Sequence, residues 1–318
     1  MPDGHVVEQR QPEVPGDRSE AGIVAKIHGP REHERCLQLA EQVLIIQCLR
    51  HLVEPCALVE PVGTLMRQVA ADIVLPRFRQ LGAQDIDEKS PGDPVTIADR
   101  ESELRLAEGL ARIMPNVRIL GEEAAAADPR LLEGIDQGAL WIIDPIDGTA
   151  NFAAGMAPFA IMIALAHDGI AEAGWILDPL TGRLCHAVRR GGAFIDGERI
   201  VARGSGNERP VASLATQFMS REEGDALLAR TAGLLTPAEI PRCAGEQYPR
   251  LALGQNDMSV FHRTLPWDHV PGILFLEEAG GKAARPNGKP YRFADGEQSI
   301  LGASTPELWD RGAEILFA

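Results

Sequence analysis

Apolar and polar positions divide the chain into a first stretch without sustained period and a longer one that has it. Residues 1–55 are polar and broken by proline, as in "VVEQRQPEVPGDRSE" (6–20), and only "CLQLAEQVLIIQCLRHLV" (36–53) has helix-like spacing. We read 1–55 as a poorly ordered or atypical N-terminal extension, or as the product of an upstream start codon, with a functional arm as the alternative. From about residue 57 the texture changes. Leu65, Val69, Ile73 and Val74 recur on one face and predict a helix; Leu104, Leu106, Leu110 and Ile113 predict a second within 93–116. "VRIL" (117–120) reads as a short strand ending at Gly121, and "ALWIID" (139–144) as another. The segment 159–200 reads as successive antiparallel strands, because His-Asp-Gly, Asp-Pro-Leu-Thr-Gly and Asp-Gly punctuate it at 167–169, 178–182 and 196–197.

"RGSGNERP" (203–210) is a seam. Beyond it the pattern gives a strand "VASLAT" (211–216), a helix near 221–235, and a helix "VPGILFLEEAGGKA" (270–283) with a Gly-Gly stop. The expected architecture is mixed α+β or α/β in two halves. Residues 56–205 form an α+β half with an antiparallel sheet and most of the candidate ligands; 206–318 form an α/β half that contributes Asp268.

Composition narrows the function. A hydrophobic fraction of 45% and a charged fraction of 24% over 318 residues are those of an ordinary globular chain. A net charge of -15 argues against nucleic acid as the main ligand, and means that a phosphorylated substrate would need cations or local arginines. The five cysteines are scattered, odd in number and without CxxC, which is reduced, cytoplasmic usage. No signal pattern opens the chain, and "FAIMIALA" (159–166) is far short of the ~20 apolar residues of a membrane span.

Acids gather at element ends: Glu122 and Glu123 after "VRIL", Asp144 and Asp147 after "LWII", Asp268 at the start of a helix, and Asp93 and Asp99 ahead of the second helix. Like charges held together are costly unless something positive lies between them. Hard cations such as Mg²⁺ take carboxylate and carbonyl oxygens, so Asp144, Asp147 and the Ile146 carbonyl, stiffened by Pro145, are candidate ligands. Gly148 and Thr149 then offer backbone N–H groups to a phosphate oxygen. Singly, each element is more simply a solvated loop, a turn or a helix cap. Only their joint occurrence points to a site.

The set resembles the inositol monophosphatase family, within the magnesium-dependent, lithium-sensitive sugar phosphatases. The motifs that carry it are "DPVTIAD" (93–99), "GEE" (121–123), "DPIDGTANF" (144–152) and "WDHVPGILFLEEAGG" (267–281), in family order over roughly 57–318. The resemblance implies a layered α-β-α-β-α fold, a homodimer and a Mg²⁺-dependent phosphomonoesterase. It implies that Glu122, Asp144 and the Ile146 carbonyl bind one Mg²⁺ and that Asp144, Asp147 and Asp268 bind a second. A weaker third ion would use Glu122 and water. Asp99 and Thr149 match the pair that deprotonates the attacking water, so Asp99, Thr149 and Glu122 form the expected catalytic group. Two cations ~3.5–4 Å apart would stabilise the entering and leaving oxygens, and no covalent phospho-enzyme is needed.

Substrate choice is where the chain departs from the family. Seven residues before Asp268, where the family has a glutamate that contacts inositol hydroxyls, stands Phe261, and the substrate segment reads "CAGEQYPR" (243–250). The expected substrate contacts are Asp147, Gly148, Thr149 and Asp268, with Glu246 a candidate for hydroxyl binding and Arg263 for a second anionic group. The substrate is expected to be inositol monophosphate or a related small phosphorylated alcohol, as Ile146, Ala150 and Asn151 favour. Histidinol phosphate, fructose 1,6-bisphosphate and 3′-phosphonucleotides remain alternatives. So does a regulatory role on RNA polymerase, to which some bacterial relatives are linked.

Overall fold

The run of apolar residues before Asp144 becomes the spine of a sheet. Strand β4 (Ala139–Asp147) is buried at every position but its first, which a strand covered on both faces requires. The computed structural model describes residues 56–317; the expectations for 1–55, including the helix at 36–53, lie outside the described residues. In chain order, helix α1 (Cys56–Val69) leads through a π-helical turn (70–74) to a hairpin, β1 (Ile86–Ser90) and β2 (Asp93–Thr96). Helix α2 (Ile97–Ile113), strand β3 (Arg118–Gly121) and the short helix α3 (Glu122–Ala127) precede β4, and α4 (Thr149–Ala153) follows it.

A meander then runs through β5 (Ala160–His167), β6 (Ile170–Leu177), β7 (Leu184–Val188), β8 (Gly192–Ile195) and β9 (Glu198–Ile200). The sheet order is β3-β4-β5-β6-β7-β8-β9, with β3 parallel to β4 and every other pair antiparallel. The tight turns fall where the sequence signals them: Asp168 and Gly169, and again Asp196 and Gly197, have positive φ, as a two-residue hairpin demands.

The second sheet comes from β10 (Val211–Leu214), β11 (Thr236–Pro237), β12 (Met258–Phe261), β13 (Lys282–Ala284) and β14 (Ile300–Ala303), in the order β11-β10-β12-β14-β13. Helices α6 (Ala244–Ala252) and α7 (Pro266–Glu278) lie between the sheets, where Met162, Ile176 and Cys185 of the first sheet meet Tyr248, Phe275 and Ile300 in one buried cluster. Helices α5 (Arg221–Thr231) and α8 (Pro306–Phe317) cover the far side of the second sheet through Leu227, Met258, Leu301, Trp309 and Leu316. With α1 and α2 against the first sheet, the layers run α-β-α-β-α as expected.

Two details differ from the expectation. The helix over 65–74 is not uniform, because its α-helical ladder gives way to the π turn at 70–74 ahead of Pro76. In α2, Leu106 and Leu110 are buried but Leu104 is 63% exposed. The inward face of α2 carries Asp99, Ser102 and Glu103 in the positions apolar residues would otherwise take. Among the described residues no helix is long and apolar enough to cross a membrane.

Candidate active site

The ladder between β4 and β5 slips between Asp144 and Asp147: Asp144 pairs with Met162 and Asp147 with Ala160, three residues against two. Such a bulge re-aims side chains at a strand end, and Pro145, which has no N–H to give the ladder, sits inside it. Asp144 is 1% exposed; its Oδ1 accepts the Ile146 N–H at 3.0 Å, and its Oδ2 is buried without a partner. Ligand oxygens of Asp144, Glu122 and Asp268 lie within 4.8 Å of one another. Three carboxylates this close, one of them with an orphaned buried oxygen, fit a hard divalent cation and fit nothing apolar.

Each partner is delivered by a different element. Glu122 opens α3, whose first N–H groups are capped from a distance: the Glu103 carboxylate of α2 accepts from Glu123 N (2.7 Å) and Ala124 N (2.9 Å). A Cβ on Gly121 would sit 2.2 Å from the Glu103 carboxyl carbon, so any other residue at the start of "GEE" would push the Glu103 carboxylate from its place. Lys89 of β1 reaches over with Nζ 2.5 Å from Glu122 Oε1 and 3.0 Å from Glu123 Oε1. Asp268 stands in the first turn of α7, after Pro266 at a position that needs no donor.

Crowding governs protonation. Burial, then the charges of Glu122 and Asp147, push the Asp144 and Asp268 carboxyls well above the ordinary range. Burial raises Asp147 to about 6 against the pull of the Gly245 N–H and the Cys243 thiol; Gly245 N is 2.6 Å from its Oδ2. Without a cation the cluster holds protons.

Behind it lies a second constellation. Thr96 caps α2, and its N–H (2.8 Å) and hydroxyl (2.5 Å) both donate to Asp99 Oδ2. The other oxygen, Oδ1, is 3.1 Å from Thr149 Oγ1, which also lies 2.9 Å from the Ile146 carbonyl. Asp99 is 1% exposed, and burial raises it to about 6 despite the Thr96 hydrogen bonds. Gly148 supplies the turn into Thr149 with φ +85°, and a Cβ there would meet the Pro158 carbonyl at 3.0 Å.

Glu122, Asp144, Ile146, Asp147, Gly148, Thr149, Arg263 and Asp268 all line one cleft of about 380 Å³, and Asp99 stands behind Thr149. Glu246 is not in that lining. Its carboxylate is taken by Arg183 (2.6 Å) and Arg250 (2.8 Å), so the structure does not bring this expected hydroxyl contact to the cleft. Arg263 stacks its guanidinium 4.5 Å from the Phe218 ring centre and lies 3.6 Å from Asp93 Oδ2. Phe261 lines the cleft with its ring stacked on Tyr248 at 5.1 Å. His269 is spent on packing: Nε2 donates to the Arg263 carbonyl (3.0 Å), Nδ1 takes the Tyr248 hydroxyl (2.8 Å), and burial lowers it to about 4, so it is neutral.

Three contributors escape a reading by motif: Lys89, Glu103 and Thr96. The charge run "DEKS" around Lys89 resembles a solvated strand, and Thr96 hides inside a motif read for its acids. Glu103 left a trace, since it shares a helical stripe with Asp99, Leu106 and Leu110.

Comparison with known proteins agrees with this geometry. The family model described as the inositol monophosphatase family matches residues 59–316. The inositol-1-monophosphatase of Bacillus subtilis (strain 168) is 29% identical over 221 residues, which is 68% of this chain and 82% of that protein. The inositol-1-monophosphatase SuhB of Mycobacterium tuberculosis is 31% identical over 228 residues, 70% of this chain and 77% of its own. Among solved structures, the Thermotoga maritima IMPase superposes with a TM-score of 0.67 at 25% identity, over 80% of this chain and 94% of that one. One family pattern thus spans nearly all of the described chain and contains every acid of the cleft, and the chain belongs to the inositol monophosphatase family of phosphoric monoester hydrolases.

Proposed function

We propose that the chain hydrolyses a small phosphorylated alcohol with Mg²⁺ as cofactor and water as nucleophile. The observation that carries this reading is the buried, unpartnered Oδ2 of Asp144 among the converging oxygens of Glu122 and Asp268. In this reading Glu122, Asp144 and the Ile146 carbonyl would hold one Mg²⁺, Asp144, Asp147 and Asp268 would hold a second, and Glu122 would help to hold a weaker third. When bound, such ions offset the phosphate charge, stabilise the leaving oxygen and make water more acidic.

The chain's own groups do the rest. Thr149 Oγ1 accepts the proton of the attacking water as it passes its own to Asp99 Oδ1, 3.1 Å away. Thr96 occupies Oδ2, which leaves Oδ1 as the receiving oxygen and fixes the direction of the relay. The N–H groups of Gly148 and Thr149 bind a phosphate oxygen, beside Asp147 and Asp268. Cys243 lines the cleft, but burial and the Asp147 charge push its thiol well up, so it stays protonated and does not compete as a nucleophile.

The expected halves, 56–205 and 206–318, enter the proposal as the two sides that supply this cleft. The free, buried Cys185 and Cys243 suit a reduced, cytoplasmic setting, and we propose a homodimer by family kinship, to be checked by sedimentation. Phosphate release from inositol 1-phosphate and glycerol 2-phosphate, with Mg²⁺ and after chelation, tests the reading. Mg²⁺-dependent turnover supports it; undiminished hydrolysis after exhaustive chelation overturns it.

A further inference from the structure

We infer that the wall of the cleft built from residues 213–218, 240–244, Gln247 and 259–263 recognises a flat, unsaturated ring on the substrate's alcohol rather than a ring of hydroxyls. The inference rests on the phosphatase reading of the same cleft and names its substrate class.

The first ground is what the wall lacks. A polyol is selected by side chains that pair its hydroxyls, and unmatched buried polar groups are penalised steeply. The carboxylates in the lining are Asp93, Glu122, Asp144, Asp147 and Asp268. Asp93 lies against Arg263, the other four belong to the acidic cluster, and Glu246 is tied to Arg183 and Arg250 outside the cleft. Outside the acidic cluster, no carboxylate in the lining is left free for a hydroxyl.

The second ground is what the wall has. Phe218 is 49% exposed while lining the cleft, and its ring already carries the Arg263 guanidinium. An aromatic face beside a guanidinium plane is a platform on which a π-system stacks. Phe261 extends the apolar surface, fixed by Tyr248 beneath it and by the His269 ring edge at 5.0 Å. Gln247 also lines the cleft and is 3% exposed; its Nε2 donates to Ser259 Oγ at 2.6 Å while its Oε1 has no partner. A buried amide oxygen of that kind accepts from a ring N–H or exocyclic amine as it would from a hydroxyl, so the preference for a ring is carried by Phe218, Arg263 and Phe261.

The test compares kcat/KM for two ring-bearing esters of unlike shape, adenosine 5′-monophosphate and histidinol phosphate, with two polyol esters, inositol 1-phosphate and glycerol 2-phosphate. At least one ring ester should exceed both polyol esters by roughly tenfold or more, the scale of a single stacking contact. Phe218→Ala, and Phe218→Leu, which keeps apolar bulk but not the ring, should reduce that ratio by roughly tenfold, and Phe218→Tyr should preserve it. Inositol 1-phosphate as the preferred ester, or a ratio indifferent to Phe218→Ala, overturns the inference and leaves the phosphatase reading standing. No Mg²⁺-dependent release from any of the four overturns both.

Discussion

Lys89 places its ammonium 2.5 Å from Oε1 of Glu122, so a residue of the acidic cluster already has a cation that the chain supplies. Both side chains are nearly covered, at 13% and 12% exposure. Removing one partner of a covered pair leaves the other uncompensated, at a cost of about 3 kcal/mol. Lys89→Met should therefore lower the melting temperature of the metal-free protein and enlarge the rise on adding Mg²⁺, because Glu122 and Glu123 lose their internal competitor. Melting curves with and without Mg²⁺ check this; an unchanged metal-free curve would mean that the pair contributes nothing.

Asp144→Asn removes one charge from the cluster and keeps the shape. Turnover should fall by about 10³-fold or more, the scale of several kcal/mol of lost cation stabilisation. The metal-free fold should become more stable, because folding no longer has to bring a proton to a buried carboxyl. Steady-state kinetics and urea unfolding together separate a ligand from a structural acid, for which both quantities would fall.

Thr149→Val deletes the hydroxyl between water and Asp99. We expect kcat to drop about 10²–10⁴-fold, with Thr149→Ser recovering most of it. Because Asp99 is poised at about 6, the acid limb of the kcat profile should carry that ionisation in Thr149→Ser and be lost in Thr149→Val. A valine variant with full activity would remove Thr149 from the relay.

The carboxyls also set a pH dependence of stability. Asp99 and Asp147 lie at about 6 and Glu123 at about 7, all above their ordinary values, and burial with the neighbouring acids pushes Asp144 and Asp268 well up too. The folded chain therefore binds protons that the unfolded chain has released, and these groups lower stability as pH rises from about 4 to about 7. A divalent ion takes the place of those protons, so its stabilisation grows in the same direction. The melting-temperature gain from Mg²⁺ should be larger near pH 8 than near pH 5; equal gains would contradict the raised carboxyls.

Glu103→Ala leaves the Glu123 and Ala124 N–H groups without an acceptor. Each lost acceptor costs about 1–3 kcal/mol. The effect should extend beyond stability, since these bonds fix the start of α3 and hence Glu122: Mg²⁺ affinity measured by calorimetry should weaken. A variant with weaker folding but unchanged Mg²⁺ affinity would restrict Glu103 to a structural role.

The strands, the helices and the acids at their ends were legible in the sequence because they rest on local signals, whereas the order of the layers came with the family resemblance. A run such as that of β4 has little freedom except to be buried, and Asp144 and Asp147 stand at its end whatever lies around them. What was not legible depends on contacts between distant segments. Leu104 looked like core, but the inward face of α2 had been given to Asp99 and Glu103, which serve residues on β2, α3 and α4. Glu246 looked available, yet Arg183 of the meander neutralises it. Lys89 carries no local signal, because the acids that hold it lie on α3. Periodicity reports which face of an element is covered, and it is silent on which partner covers it.

The α6–α7 layer between the sheets has a consequence for biosynthesis. Asp268 emerges late, on a helix whose buried face needs the earlier meander on one side and the later β14 on the other. A chain that ends before α7 holds the bulge and the Glu122 turn but lacks one of the three converging carboxylates. The acidic pocket is therefore complete only when the last layers close around α7 and bring Asp268 to Glu122 and Asp144.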